Sequence, residues 1–249
     1  MTIEAGSTAE GAGRRIRLGM VGGGEGAFIG AVHRIAARLD DHYELVAGAL
    51  SSTPEKALRS AQALGLARAY PDFRTMAREE AARGADGIEA VAIVTPNNVH
   101  FPAAKAFLEA GIHVICDKPL TATLAEAKKL AALVEKTGKV FVLTHNYTGY
   151  PMIRQAKAMI EAGELGELRL VNVEYVQDWL TESVDNKQAD WRTDPARSGA
   201  GGSTGDIGTH AFNLANFVTG LTLDTLAADL TAFVPGRRVD DNGHVMMRF

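Results

Sequence analysis

The chain has 249 residues, 46% hydrophobic and 22% charged, a globular composition that sets aside a fibrous or wholly disordered protein. Its net charge of −4, with Lys and Arg scattered, offers no basic footprint for nucleic acid, and no apolar run reaches the ~18 residues of a membrane span. The expected partners are therefore small molecules, and the single cysteine, Cys116, together with the lack of a secretion signal in residues 1–13, fits a cytoplasmic protein.

Residues 1–14 read as a disordered tail. From Arg15 to Leu39 the sequence then reads as strand, glycine turn and helix. Ile16, Leu18, Met20 and Val21 make an apolar strand, and Gly22, Gly24 and Ala27 stand at the G-x-G-x-x-[GA] spacing that opens a mononucleotide-binding βαβ unit. In that motif the first small residue permits a tight turn and the second lets backbone N–H groups approach a pyrophosphate. The third lets the helix pack closely on the strand, with the diphosphate at the helix N-terminus. The same residues also suit an ordinary tight turn. Phe28, Val32, Ile35 and Leu39 fall at helical spacing and predict an apolar face lying on a sheet.

Glu44 to Leu50 predicts a second strand, and Thr53 and Pro54 start a helix that Gly65 ends. At the end of this second strand, where an Asp or Glu would bind the adenosine ribose of NAD, stand Ser51 and Ser52. A serine accommodates a ribose hydroxyl or a 2′-phosphate, with Lys56 or Arg59 available to neutralise the latter, which favours NADP or dual use no less than strict NAD. The two serines equally suit a turn before the helix.

Asp72 to Arg83 predicts a helix and Ala90 to Thr95 a fully buried parallel strand. Thr95, Pro96, Asn97 and His100 place polar groups at its carboxyl end, where open α/β sheets bind ligands, with Pro102 just inside the next helix. His113 to Cys116 is the next strand, tipped by Asp117, Lys118 and Pro119. Thr123 and Glu126 form a capping box, Gly138 stops the helix, and Lys139 to Thr144 gives another strand. The alternation over residues 15–145 predicts an α/β fold with a doubly wound parallel Rossmann sheet.

Beyond residue 146 the pattern changes to that of a partial α+β domain, 146–249, with a mainly antiparallel sheet. Pro151 starts a helix ending near Gly163, Leu168 to Trp179 reads as a long strand, and two further alternating runs start at Leu226 and Val245. Because the second run continues to Phe249, the second domain is expected to be incomplete, with an open sheet edge. A complete sheet would be the expected surface for homo-oligomers. The glycine-rich run 198–205 leads into Asp206 and His210, one helical turn apart, and Ile207, His210, Leu214 and Phe217 turn the imidazole toward the packed side. A helix cap and a core histidine would give the same pattern.

Four motifs stand in one order: GGGEGA at 22–27, TPNNVH at 95–100, CDKP at 116–119 and the run from Gly201 that ends DIGTH at His210. Together they resemble the Gfo/Idh/MocA family, relatives of glucose-fructose oxidoreductase and inositol dehydrogenase, from about residue 15 to the C-terminus. The resemblance implies an NAD(P)-dependent oxidoreductase acting on a secondary hydroxyl or keto group of a sugar or cyclitol. It makes Lys118 the active-site lysine, with Asp117 in place of the family's glutamate, and maps an Asp-x-x-x-His pair onto Asp206 and His210. Cofactor contacts are expected from Gly22, Gly24, Ala27, Ser51, Thr95, Pro96, Asn97, His100, Asp117 and Lys118.

Such chemistry suits these residues. His210 can take the hydroxyl proton, and Lys118 can stabilise the developing alkoxide. Asp206 can orient the imidazole or bind a neighbouring hydroxyl. Tyr147, Trp191 and Arg192 are expected to face the sugar. One cysteine and no close His/Cys cluster argue against a zinc site, so no metal is expected. Two alternatives stay open: an NAD-dependent glycosidase working by transient oxidation and elimination, and a dinucleotide-binding regulator without turnover. The joint presence of Lys118, Asp206 and His210 favours catalysis.

Overall fold

Apolar runs bounded by glycines and polar caps set the elements of the structure, a computed structural model that describes residues 14–249. In chain order these are β1 (Ile16–Gly22), α1 (Phe28–Leu39), β2 (Tyr43–Ala49), α2 (Pro54–Ala63), β3 (Arg68–Ala69), α3 (Phe73–Ala82) and β4 (Ala90–Val94). There follow α4 (Asn97–Glu109), β5 (His113–Cys116), α5 (Leu124–Thr137), β6 (Phe141–Leu143), α6 (Pro151–Glu161), α7 (Lys187–Arg192), α8 (Pro195–Ser198), α9 (Thr209–Thr219), β7 (Thr225–Thr231) and β8 (Asn242–Arg248). The tail expected at 1–13 lies outside the described residues. Arg14, its last expected member, donates two hydrogen bonds to Glu89 at 2.6 and 2.8 Å.

Six strands form one sheet in the order β3-β2-β1-β4-β5-β6, with parallel pairing of β1 with β2, β2 with β3 and β5 with β6. This is the doubly wound order the alternation predicts. β4 is buried along its whole length, which is why its sequence is apolar without alternation. The chain divides into two compact units, one ending at Ala92 and one spanning Ile93–Phe249. Within the second unit α4 packs on both α5 and α8, and Asn97 Nδ2 donates to the Ser198 carbonyl at 2.8 Å, tying residues 97–109 to the later chain.

In the first unit, the buried Glu80 carboxylate gathers Arg68 Nε at 2.6 Å, the Tyr70 hydroxyl at 2.6 Å and the Ile88 N–H at 3.0 Å. Burial alone would raise this carboxyl, and the Arg68 and Tyr70 bonds outweigh it and hold it below the ordinary value.

The α1 stripe is a correction. Phe28, Val32, Ile35 and Leu39 are 70, 43, 55 and 75% exposed, so they do not face the sheet. Gly30 is the buried residue of the helix, and Arg34, one turn on, donates to the Gly23 carbonyl at 2.8 Å. Close approach of helix to turn selects the glycine side, and the larger apolar residues are left outward.

Leu168 to Trp179 is a second correction, because it carries no strand pairing among the described residues. Alternation marks a capacity to pair, and a ladder also needs a partner edge; β7 and β8 pair with one another, antiparallel. Their register sets Leu226 opposite Met247 and Ala228 opposite Val245, so the alternating sets share a face. Pro102 lies well inside α4 rather than at its start, since Pro96 is the N-cap and the helix begins at Asn97. The helix expected from Asp206 is split into a π-helical turn, Thr204–Gly208, and α9. The short helices α7 and α8, capped by Asn186 and Asp194, have no counterpart in the sequence reading.

Candidate active site

In the first unit, β1 runs into the glycine turn, where Gly22 has φ 80°. Gly24 N–H donates to the Leu50 carbonyl at 3.1 Å, and a Cβ on Gly24 would stand 2.6 Å from that oxygen and 2.7 Å from Ser60 Oγ. A Cβ on Gly30 would stand 2.4 Å from Gly23 Cα. The close helix approach assigned to Ala27 is thus made by Gly30, while Ala27 is the extended N-cap of α1 and no side chain caps that helix. Its first-turn N–H groups are left as anion donors. Ser51 Oγ accepts the Thr53 N–H at 3.2 Å, so it shapes the turn before α2. Lys56 and Arg59 make no ion pair among the described residues.

In the second unit, the tips of β4, β5 and β6 carry the polar groups. Thr95 Oγ1 and Asn97 Oδ1 are buried without a hydrogen-bond partner among the described residues. His100 is fully buried, with Nδ1 2.7 Å from the Pro119 carbonyl and Nε2 3.0 Å from the Thr95 carbonyl. The ring lies between the β4 tip and the β5 tip, and the one N–H of a neutral imidazole donates to one of these two carbonyls. Asp117 Oδ1 accepts the Lys118 N–H at 3.0 Å and the Thr144 hydroxyl at 2.9 Å, so the shorter acid is held by its own strand tip and by the end of β6.

The structure brings Lys118 to Asp206. Lys118 Nζ donates to the Asp206 carbonyl and to its Oδ1, both at 2.7 Å, and Arg192 Nε donates to Oδ2 at 3.0 Å. Burial would raise the Asp206 carboxyl, and the charges of Lys118 and Arg192 overcome it and hold it below the ordinary carboxylate value. Asp206 is thereby spent on two cations, and no hydrogen bond joins it to His210. The Arg192 guanidinium also stacks over Trp191, 4.2 Å from the ring centroid, and donates to Gln188 Oε1 at 2.8 Å.

His210 is buried, and its Nδ1 has no partner among the described residues. Burial first, then the nearby Lys118 charge and His145, push it down to about 4, so the imidazole is neutral at pH 7. Its surroundings are aromatic: the Tyr147 ring at 4.6 Å, His145 at 5.7 Å edge-on and Tyr175 at 6.1 Å. The His145 Nδ1 is likewise buried without a partner, and burial lowers that ring too. A hydrogen bond of 2.6 Å joins the Tyr147 and Tyr175 hydroxyls. No group of three or more His, Cys, Asp or Glu gathers as a metal site among the described residues.

Residues 16–147 match the model of an oxidoreductase family with an NAD-binding Rossmann fold, GFO_IDH_MocA, and residues 153–249 match the GFO/IDH/MocA C-terminal domain. The chain belongs to this family. A Sinorhizobium meliloti oxidoreductase structure is 64% identical with a TM-score of 0.84, over 95% of this chain and 62% of that one. An Azotobacter vinelandii inositol dehydrogenase homologue, solved with NADH and myo-inositol, is 37% identical with a TM-score of 0.87, over 94% of this chain and 61% of that one. Levoglucosan dehydrogenase of Pseudarthrobacter phenanthrenivorans is 30% identical over 92% of this chain and 57% of its own length. The chain thus spans about three-fifths of the length of the GFO/IDH/MocA relatives it matches.

Residues 153–249 carry the pattern of that family's C-terminal domain, and the last alternating run is a strand paired with β7. Sequence reasoning missed His145, Tyr175 and Gln188 at the site. His145 was within reach of the rule that singled out Thr95 and Asp117, since it also follows the carboxyl end of a parallel strand, β6.

Proposed function

We propose that this chain uses a nicotinamide cofactor to move a hydride to or from a secondary hydroxyl or keto carbon of a cyclitol or sugar. The observation that carries the reading is the Lys118–Asp206–Arg192 cluster beside a buried, neutral His210. In the first unit, the crowding at Gly24 and Gly30 and the uncapped α1 fit the close backbone contact a dinucleotide's phosphates require. In the second unit, the buried, unpartnered Thr95 Oγ1 and Asn97 Oδ1 fit polar groups of a ligand. When bound, the nicotinamide supplies the hydride acceptor or donor.

His210 takes the hydroxyl proton during oxidation and returns it during reduction. An ammonium has three protons, and Lys118 commits two directions to Asp206, leaving one N–H for the substrate oxygen. Two cations against the Asp206 carboxylate leave this trio net positive, which stabilises a developing alkoxide. Asp206 therefore acts by holding Lys118 rather than by orienting the imidazole. Tyr147, Trp191 and Arg192 face the substrate. Ser51, in place of an acid, supports NADP or dual use, and the named ligands of the relatives make cyclitols and anhydrosugars the first substrates to try.

A panel of inositols, aldoses, levoglucosan and glycosides, each with NAD and with NADP, followed at the nicotinamide absorbance, tests the reading. Cofactor reduction by at least one polyol is expected. Aglycone release without net cofactor change would favour the glycosidase, and cofactor binding without any turnover would favour a regulator.

A further inference from the structure

The hydrogen bond between Tyr147 and Tyr175 has a direction, and the outer end of its chain sets it. Trp179 Nε1–H can only donate, and it donates to Gln177 Oε1 at 3.1 Å. That fixes the oxygen end of the exposed Gln177 amide, so the opposite end is the NH₂ group, which donates to the Tyr175 hydroxyl at 3.2 Å. A phenol has one proton to give, and Tyr175, having accepted from Gln177, gives its own to Tyr147. The opposite direction would load Tyr175 with two incoming bonds and leave its proton without an acceptor among the described residues. With its oxygen occupied by Tyr175, Tyr147 retains one O–H to donate. Its ring lies 4.6 Å from His210, against 6.1 Å for Tyr175, so the spare proton is on the phenol nearer the imidazole.

We propose that Trp179, Gln177, Tyr175 and Tyr147 form a one-way hydrogen-bond chain that presents the Tyr147 O–H to the substrate, so that the site selects an oxygen able to accept a hydrogen bond there. The acceptor is a carbonyl, an ether or a hydroxyl turned to accept; a group that only donates, such as the ammonium of an amino sugar, is rejected at that position. This inference rests on the functional reading above. Tyr147 touches the substrate, while Tyr175, Gln177 and Trp179 are positioning residues that set its polarity.

Gln177→Glu tests the chain with little change of shape. At pH 8 a carboxylate there accepts from both Trp179 and the Tyr175 O–H; Tyr175 then accepts the Tyr147 proton, and the substrate meets a lone pair instead of a donor. With the best panel substrate that sets an ether or carbonyl oxygen, an acceptor only, against Tyr147, Gln177→Glu and Tyr147→Phe are each expected to raise KM about tenfold, the effect of losing one oriented hydrogen bond. The dissociation constant for the cofactor should not move. In the Tyr147→Phe background the Gln177→Glu change should add nothing, because no phenol remains to reverse. Wild-type KM in Gln177→Glu, or an undiminished effect in the double variant, overturns the inference while leaving the functional reading in place. A wild-type protein that turns over no member of the panel overturns the functional reading, and the inference with it.

Discussion

Lys118 Nζ is held 2.7 Å from both the backbone carbonyl oxygen and the Oδ1 of Asp206, with Arg192 on the other carboxylate oxygen at 3.0 Å. The side chains of the Lys118–Asp206 pair are only 15 and 21% exposed, so water screens the pair little. Asp206→Asn removes the charge and leaves two cations facing one another. We expect turnover to fall by about 100-fold or more and stability by roughly 1–3 kcal/mol, less than for a fully buried pair because both partners keep some water. Steady-state kinetics and thermal melting of the same variant check this. Unchanged turnover would remove Asp206 from the positioning of Lys118.

The depressed His210 gives a pH signature. A histidine free of its fold titrates near 6.5, and in the folded chain it titrates at about 4, so between these values the unfolded state holds more protons. Stability from this group is therefore complete above pH 6.5 and is lost as pH falls toward 4, an effect on the order of 3 kcal/mol. His210→Gln should flatten stability against pH in that window, as read from urea midpoints between pH 4 and 7. The pH profile of kcat/KM for oxidation should likewise lack an acid limb near 6.5.

The glycine turn and the apolar stripe of α1 make opposite predictions. Gly24→Ala and Gly30→Ala each drive a Cβ into atoms that include backbone, at 2.6 Å from the Leu50 oxygen and 2.4 Å from Gly23 Cα. Each should destabilise by about 1–3 kcal/mol and weaken cofactor binding at least tenfold. Val32→Ser, on the outward face, should stay within about 0.5 kcal/mol of the wild type. Denaturation midpoints and cofactor titrations separate the two classes, and a costly Val32→Ser would show that the stripe is covered.

Cofactor choice is read from Ser51. A carboxylate at the end of β2 repels a 2′-phosphate and accepts hydrogen bonds from a free ribose. Ser51→Asp should therefore shift the ratio of NADP to NAD affinity toward NAD by tenfold or more. Titrating both cofactors against both proteins measures the ratio, and an unchanged value would place the adenosine ribose elsewhere.

The nucleotide half was legible because its signals are local. Glycine spacing and a box at Thr123 each act within one turn, and β4 announces its burial by lacking alternation. The three residues of the catalytic reading were legible as types and positions. Their pairing was not: spacing alone suggests that Asp206 serves His210 one turn away, whereas the carboxylate turns to Lys118, 88 residues distant, and to Arg192. Charge attraction in a site poor in water decided that, and no periodicity records it. Leu168 to Trp179 misled for a related reason, since strand propensity is a property of a segment and strand pairing a property of its neighbours.

The most direct test is turnover of Lys118→Met and His210→Asn beside the wild type, with cofactor affinity measured on all three proteins. The account predicts cofactor reduction by wild type with at least one cyclitol or sugar, a loss of about 1,000-fold or more in each variant, and cofactor dissociation constants that stay close to the wild-type value. Near-normal turnover in both variants would contradict it.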